Sequence, residues 1–309
     1  MPYVTLPSID AAELLRAAEG RWTALLERRP DLQPAVDLQR SLLSIVVRVS
    51  TSNASQPLPT WAMPAKYVAT KLAHGTPALA GEPIPFTVAA LTGPLLALCN
   101  ALAAGGAGDA ARHIATAIES RSIDSGSLLA ASLSRDQNAI RQGATHRGLA
   151  PDLLWLIAEL AISPFAHTLQ RSIFASAPDP IAAALDDWGH GYCPACGSWP
   201  ALAEVEASHR ILRCSFCAAA WELQSYACIY CGESGEPFVT AAPDEDRKDR
   251  RVEVCGTCAG YLKTIDVAAL SPFPLLAIAD LETMDLDVAA MERGYRRPPL
   301  KATPRAPSS

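Results

Sequence analysis

The stretch YCPACGSWPALAEVEASHRILRCSFC, residues 192–217, decides the fold of the C-terminal part of this chain. It begins and ends with two cysteines that have two residues between them, and 17 residues separate these two pairs. The pattern returns over residues 228–258, where 23 residues separate two further pairs. Two thiolates at this spacing can converge on one metal ion at about 2.3 Å, and two such pairs complete a tetrahedral site.

The eight cysteines therefore predict two metal sites. We favour sequential sites, because the hairpin between two pairs returns one pair to the other. The alternative is a cross-braced arrangement that joins the first pair to the third and the second to the fourth. Sulfur-only sites suit zinc and iron equally, so the spacing does not identify the metal. The predicted ligands are Cys193, Cys196, Cys214 and Cys217 in the first site, and Cys228, Cys231, Cys255 and Cys258 in the second.

The segments between the cysteine pairs are typical of short strands. Residues 201–206 and 210–213 predict a hairpin, with a third strand at 221–223. Residues 237–240 and 251–254 predict a second hairpin, whose connection is the charged segment PDEDRKDRR, residues 243–251. Gly197 and Gly232 each follow a cysteine pair and relieve its tight turn. Modules this small need metal to fold, and one structural site supplies on the order of 10 kcal/mol.

The residues before the first cysteine pair predict successive helices. Asp10 and Glu13 have the spacing of a capping box, and Pro34 can open a second helix. A Ser- and Pro-rich loop is predicted over residues 50–64, and Pro164 is expected to kink or interrupt the last long helix. Further helical patterns cover residues 65–74, 88–104, 109–119, 127–141 and 152–174.

The fold class that follows is multidomain α+β, with an all-α N-terminal domain, two tandem ribbon modules and a C-terminal helix. We expect the helical domain over 1–187, the modules over 188–226 and 227–266, a helical segment over 267–295 and a disordered tail over 296–309.

Composition excludes several classes of protein. The chain of 309 residues is 50% hydrophobic and carries a net charge of −6. Residues 188–264 hold 7 Lys or Arg against 10 Asp or Glu, so the modules lack the basic charge of a nucleic-acid binder. The start of the chain lacks the pattern of a secretory signal, so the cysteines are expected to bind metal in the cytoplasm rather than form disulfides. The uncharged run 83–108 is expected to be a core helix rather than a membrane span.

The C-terminal third resembles the FdhE family of formate dehydrogenase accessory proteins. The resemblance rests on YCPACGSWPALAEV (192–205), RILRCSFCAAAWEL (210–223), CIYCGE (228–233), VCGTCAGYLKTID (254–266), DLETMDLD (280–287) and GYRR (294–297). Trp199 departs from the expected pattern, which has a small residue or proline there.

This resemblance implies a cytoplasmic assembly factor that binds the immature, molybdenum-containing catalytic subunit of formate dehydrogenase. It also implies that the two modules are rubredoxin-like, that the eight cysteines are their ligands, and that iron is the metal, with zinc as a substitute. No nucleic acid and no membrane insertion are expected.

Several side chains beside the cysteines have two interpretations. Four aromatic residues can either anchor a partner or shield the sulfurs, and we favour shielding. They are Phe216, Tyr230, Trp199 and Trp221. His190 and His209 lie near the first site, where four thiolates already suffice. Cys99 stands alone among leucines and is expected to be a buried apolar residue rather than a nucleophile.

Three functions follow from the sequence. A protein-binding maturation factor is the leading hypothesis, an iron electron-transfer protein is the second, and a zinc-ribbon nucleic-acid binder is the third. Four-thiolate sites have no open position for a substrate, and the chain lacks P-loop, nucleophile-elbow and HExxH motifs. We therefore expect no enzymatic activity.

Overall fold

The computed structural model describes residues 3–7, 9–54, 63–83, 88–242 and 249–300. The middle of the predicted loop 50–64, most of the charged segment 243–251 and residues 301–309 of the predicted tail lie outside these ranges. The described chain forms two compact units. One contains residues 9–54, 79–83 and 88–169, and the other contains residues 3–7, 63–78 and 170–300.

Eleven helices lie within the described residues. They are α1 (Ala11–Arg28), α2 (Gln33–Ala54), α3 (Ala65–Ala73), α4 (Ala89–Leu102), α5 (Gly108–Glu119), α6 (Ser125–Leu133), α7 (Gln137–His146), α8 (Pro151–Phe174), α9 (Asp179–Asp186), α10 (Leu276–Glu282) and α11 (Met284–Glu292).

At its N-terminal end, the helical unit has the helix that the apolar periodicity of the sequence predicts. Asp10 caps α1, since its carboxylate accepts hydrogen bonds from the backbone N–H groups of Ala12 and Glu13. Trp22, on the buried face of this helix, is 2% exposed and donates its indole N–H to Gln39 at 2.7 Å. Local capping and an apolar stripe thus determine this part of the fold.

One helical prediction in this unit is wrong, and of the two outcomes predicted at Pro164 the interruption does not occur. Residues 127–141 do not form one helix, because Arg135 has a φ of 59° and Asp136 caps α7 by accepting from Ala139 N. Pro164 does not interrupt α8, which continues through it to Phe174.

Two helical stretches are long and apolar enough to cross a membrane by length and composition. In the 18-residue apolar window of each stretch, 61% is buried for Pro151–Phe174 and 28% for Ala90–Glu119. The second stretch is not one regular helix, since Gly106 has a φ of 114° within a π-helical turn, Ala103–Ala107.

The other unit is organised by one sheet of seven strands. The strands are β1 (Tyr3–Val4), β2 (Pro200–Glu206), β3 (His209–Cys214), β4 (Ala220–Glu222), β5 (Phe238–Ala241), β6 (Arg250–Cys255) and β7 (Tyr261–Asp266), in the order β1-β4-β3-β2-β7-β6-β5. β2 and β7 are parallel, with Ala203 opposite Thr264, and all other neighbours are antiparallel. The two predicted modules therefore share one continuous sheet.

This unit also contains segments that the domain boundaries predicted from the sequence assign to the helical domain. β1 pairs with β4, with Tyr3 opposite Trp221. Ala78 N donates to Pro194 O at 2.9 Å, so the segment after α3 contacts the first cysteine pair. A strand of two residues carries no periodicity, which is why the sequence did not reveal it. The boundaries predicted from the sequence describe modules and not compact units, and they stay a prediction. They are 1–187, 188–226, 227–266, 267–295 and 296–309.

Candidate metal centres

The eight thiols gather in two groups of four, and in each group all four sulfur atoms lie within 4.8 Å of one another. The groups follow the sequential arrangement rather than the cross-braced one. In the first group Cys193 and Cys217 are 3.6 Å apart, and Cys196 and Cys214 are 3.4 Å apart, measured between Sγ atoms. In the second group the corresponding Sγ distances are both 3.6 Å, for Cys228 with Cys258 and Cys231 with Cys255.

These distances fit a tetrahedral metal. Four sulfurs at about 2.3 Å from one ion are about 3.8 Å from each other, and the observed pairs are only slightly closer. None of the eight cysteines forms a disulfide in this structure. The donor set, four thiols and no other ligand, suits zinc or iron and does not distinguish them.

The same tight turn follows all four cysteine pairs. The residue after each second cysteine has a left-handed backbone, with φ of 82° at Gly197, 54° at Ala218, 80° at Gly232 and 54° at Ala259. The predicted role of the two glycines is confirmed, and alanine fills the same position in the other two turns at a cost of about 1–2 kcal/mol each. The turn directs backbone N–H groups at sulfur, as where Cys214 Sγ accepts from Phe216 N and Cys217 N, both at 3.4 Å.

Burial disfavours free thiolates in the first group. Burial raises the pKa of the Cys193 and Cys217 thiols well above their ordinary range, because thiolates lose their hydration there. Burial likewise raises the pKa of the Tyr3 phenol, and the neighbouring Cys217 and Cys193 raise it further. A metal ion reverses this preference, since it binds thiolates and supplies the opposite charge.

In the second group, the thiol pKa values are shifted in different directions. Burial raises the pKa of Cys228 and Cys258. Burial acts in the same direction on Cys255, but hydrogen bonds from the Cys258 and Thr257 backbone and from Cys231 outweigh it and leave the pKa of Cys255 below its ordinary value. This group therefore stabilises one thiolate, that of Cys255.

The two groups differ in their access to solvent. All four cysteines of the first group are buried, and the most exposed of them, Cys196, is 2% exposed. In the second group Cys228 and Cys255 are buried, Cys258 is partly buried and Cys231 is exposed. The spacing of two residues within every cysteine pair is the same in both groups and contains no signal for this difference.

Backbone contact joins the two groups. A Cβ atom placed on Gly191 would lie 2.0 Å from the carbonyl oxygen of Ile229, which lies inside the third cysteine pair. Nearby, the rings of Trp199 and Tyr230 meet edge to face with centroids 4.9 Å apart. Trp199, the departure from the family pattern, thus lies where the two modules touch.

Buried ion pairs lie beside both groups. Arg213 and Glu204, each fully buried, pair on neighbouring strands, and Ser271 N donates to both carboxylate oxygens of Glu204 at 3.1 Å. Arg210 pairs with Glu253 across the junction of the modules at 2.5 Å. Sequence reasoning missed these pairs, because the strand pattern shows only alternation and not which strands become neighbours.

A second ion cluster attaches the C-terminal helices to the sheet. Lys263, fully buried, lies 2.6 Å from Asp280 and 2.7 Å from Asp287, and Arg297 pairs with the same two carboxylates at 3.3 and 3.0 Å. Three of the motifs that carry the family resemblance therefore meet at one place. The single predicted C-terminal helix is two helices, α10 and α11, which Thr283 separates.

The other singled-out side chains do not join the cysteine groups as ligands. His209 is exposed and lies 3.1 Å from Glu222, and His190 is exposed with its ring stacked on Tyr192. Cys99 is fully buried in α4, and burial raises its pKa to about 11. The favoured interpretation of Cys99 as an apolar core residue agrees with this burial.

The aromatic residues beside the cysteines mostly face inward. Phe216, Trp221 and Trp199 are all buried, and Tyr230 is partly buried with its hydroxyl donating to Tyr261 O at 2.9 Å. These positions agree with sulfur shielding rather than with exposed anchors. Tyr226, which the sequence did not single out, is the more exposed aromatic residue at 56%.

Comparison with known proteins gives one consistent result. No family model matches the chain. It is 27% identical over 156 residues to an FdhE homolog of Aquifex aeolicus, 33% over 114 residues to one of Pseudomonas aeruginosa and 31% over 110 residues to one of Haemophilus influenzae.

The alignment with the Aquifex protein spans 51% of that protein and 48% of this chain. The alignment with the Pseudomonas protein spans 37% of that protein and 34% of this chain, and the one with the Haemophilus protein spans 36% and 34%. The fold matches the crystal structure of the FdhE protein from Pseudomonas aeruginosa over 99% of this chain and 100% of that one, with a TM-score of 0.60 and 22% identity. The chain is thus similar in sequence to proteins named FdhE homologs over about a third to a half of their length, and it shares the fold of the solved FdhE protein along the whole chain.

Proposed function

We propose that this protein is an accessory factor for formate dehydrogenase, an assembly chaperone that binds the immature molybdenum-containing catalytic subunit in the cytoplasm. The observation that carries the proposal is similarity, to relatives named FdhE homologs in sequence and to a solved FdhE structure in fold. The sequence similarity spans about half of the first relative and about a third of the others, so the role, the partner and the compartment are all part of the proposal.

The proposed role is binding rather than catalysis. Each cysteine group supplies four sulfur donors, which fill a tetrahedral ion and leave no position for a substrate. The acidic balance of residues 188–264 favours a protein partner over nucleic acid.

We propose further that the eight cysteines hold two metal ions, iron by resemblance to the family and zinc as a substitute. When bound, such an ion supplies folding energy and keeps the thiolates charged. The residues of the chain do the rest: the left-handed turns position the sulfurs, and the buried shell around the first group excludes water.

A pull-down tests the binding proposal. The purified, metal-loaded chain is offered the cognate catalytic subunit, both without its cofactor and loaded with it. We expect capture of at least the immature form, weakened in Cys193→Ser and Cys228→Ser, which each lose one metal. The matched control is Cys99→Ser, because Cys99 lies in the other compact unit and outside both groups. Failure to capture either form would overturn the proposal.

Electron transfer through iron is a second candidate, and one observation favours it. The rings of Tyr192, Trp199 and Tyr230 form an unbroken series, with centroid distances of 5.9 and 4.9 Å, from the first cysteine pair to the third. Visible absorption and a reversible redox titration of anaerobically purified protein test this function. A colourless, zinc-only protein that still supports formate dehydrogenase assembly removes it.

A further inference from the structure

The first cysteine group is sealed by parts of the chain that are remote in sequence. Tyr3 of β1 is 6% exposed, lies beside the thiols of Cys193 and Cys217, and donates its hydroxyl to Gln170 at 2.5 Å. On the first cysteine pair, Ala78 N bonds Pro194 O, and a Cβ at Gly197 would lie 3.0 Å from Pro77. Solvent reaches these sulfurs only if such contacts open.

The second cysteine group has no comparable cover among the described residues. Cys231 is exposed, and so are the residues that follow it, Gly232, Ser234, Gly235 and Glu236. On the opposite pair, Gly256 and Thr257 are exposed as well. A small ligand can therefore approach Cys231 past the described residues without any change in their fold.

The second module also has attachments that do not depend on its cysteines. β7 pairs with β2 in the middle of the sheet, and Lys263 holds α10 and α11 through Asp280 and Asp287. Thr264 further donates to Glu253 at 3.0 Å. None of these contacts is made by a cysteine of the second group, so release of its ion breaks none of them directly.

From these three observations we infer that the two groups have different tasks: the second exchanges its metal with ligands in solution, beginning at Cys231, while the first retains its metal. This inference rests on the proposed binding of two metals. In the exchange, the bond between the ion and the Cys231 thiolate breaks, a soft donor such as a small thiol or a chelator takes its place, and the remaining three bonds follow. No electron is transferred, and the freed thiolates take up protons from water.

The test is metal release from the intact, zinc-loaded full chain into excess 4-(2-pyridylazo)resorcinol, whose zinc complex absorbs in the visible. We expect one equivalent to leave quickly and the second about tenfold more slowly or slower still, since the buried shell controls access to the first ion. Iodoacetamide labelling during the same reaction, read by mass spectrometry, should modify Cys231 and Cys258 before any cysteine of the first group.

A variant supplies an independent check. Tyr3→Ala uncovers the first group without touching a ligand, and it should accelerate the slow phase while leaving the fast phase unchanged. Equal rates for two full equivalents, or early labelling of Cys193, would overturn this inference and leave the proposed function intact. A protein that binds fewer than two equivalents would overturn the inference together with the proposed metal content.

Discussion

The contact between Gly191 and Ile229 makes a strong prediction for Gly191→Ala. The added Cβ would lie 2.0 Å from the Ile229 carbonyl oxygen and 2.7 Å from the carbonyl carbon, whereas ordinary contact begins at 3.4 Å. The two backbones must therefore separate by about 1.4 Å. Both atoms in conflict belong to the main chain, so no side-chain rotation relieves the overlap.

The cost should fall on the second cysteine group. Ile229 lies between Cys228 and Cys231, so a displaced Ile229 carbonyl moves the turn that positions both sulfurs. Overpacking of this kind costs about 3 kcal/mol. We expect that loss in the free energy of unfolding of the zinc-loaded chain, together with weaker binding of one of its two metal ions.

Urea unfolding, followed by tryptophan fluorescence, and metal analysis after dialysis measure the two effects. Gly189→Ala is the matched control, because nothing lies within 4 Å of a Cβ at that position and its effect should stay within about 0.5 kcal/mol. If Gly191→Ala behaves like Gly189→Ala in both measurements, the modules do not touch as described and the reasoning fails.

Three further predictions follow from buried groups. Glu204→Gln should lower the free energy of unfolding by about 3–5 kcal/mol in urea titrations, because Arg213 stays buried without its carboxylate. Burial raises the pKa of Asp280, but the charges and hydrogen bonds of Lys263 and Arg297 together lower it to below its usual 3.8. The stabilising contribution of Asp280 is therefore complete above pH 3.8 and is lost as the pH falls through the lower folded-state value, and hydrogen exchange in α10 should report this loosening in acid. Because burial raises the pKa of Cys99 to about 11, mass spectrometry should find it unmodified by iodoacetamide at about pH 8 in the folded protein.

Each of these has a control. Glu206→Gln, on the same strand but partly exposed, should change stability by less than about 0.5 kcal/mol. Lys263→Met should flatten the pH dependence of exchange in α10, and an unchanged profile would contradict the role of the ion cluster. Rapid labelling of Cys99 at neutral pH would show that its helix opens.

What the sequence predicted well is local. The grouping of the eight thiols follows from hairpins of fewer than thirty residues, and the cap at Asp10 and the turn at Gly197 follow from the chemistry of single residues. Each of these features depends on residues that are neighbours in the chain, where spacing and geometry are directly linked.

What the sequence could not reveal depends on distant contacts. Three features join segments that are far apart in the chain. They are the parallel pairing of β2 with β7, the cover of Tyr3 over the first group and the ion cluster at Lys263. The break at Asp136 is different: aspartate followed by a helical pattern is a known start signal, and reading it would have separated α6 from α7.

The pairing of β1 with β4 has a consequence for how the protein is made. Synthesis proceeds from the N-terminus, so Tyr3 leaves the ribosome long before Trp221, its partner in the sheet, exists. The helices between them can fold in the meantime, but the first cysteine group has to wait. Pairing of β1 with β4 requires residues 220–222, so Tyr3 can cover the first group only after all four of its cysteines have been made. A residue made early in synthesis thus completes the cover of a site whose cysteines are made much later.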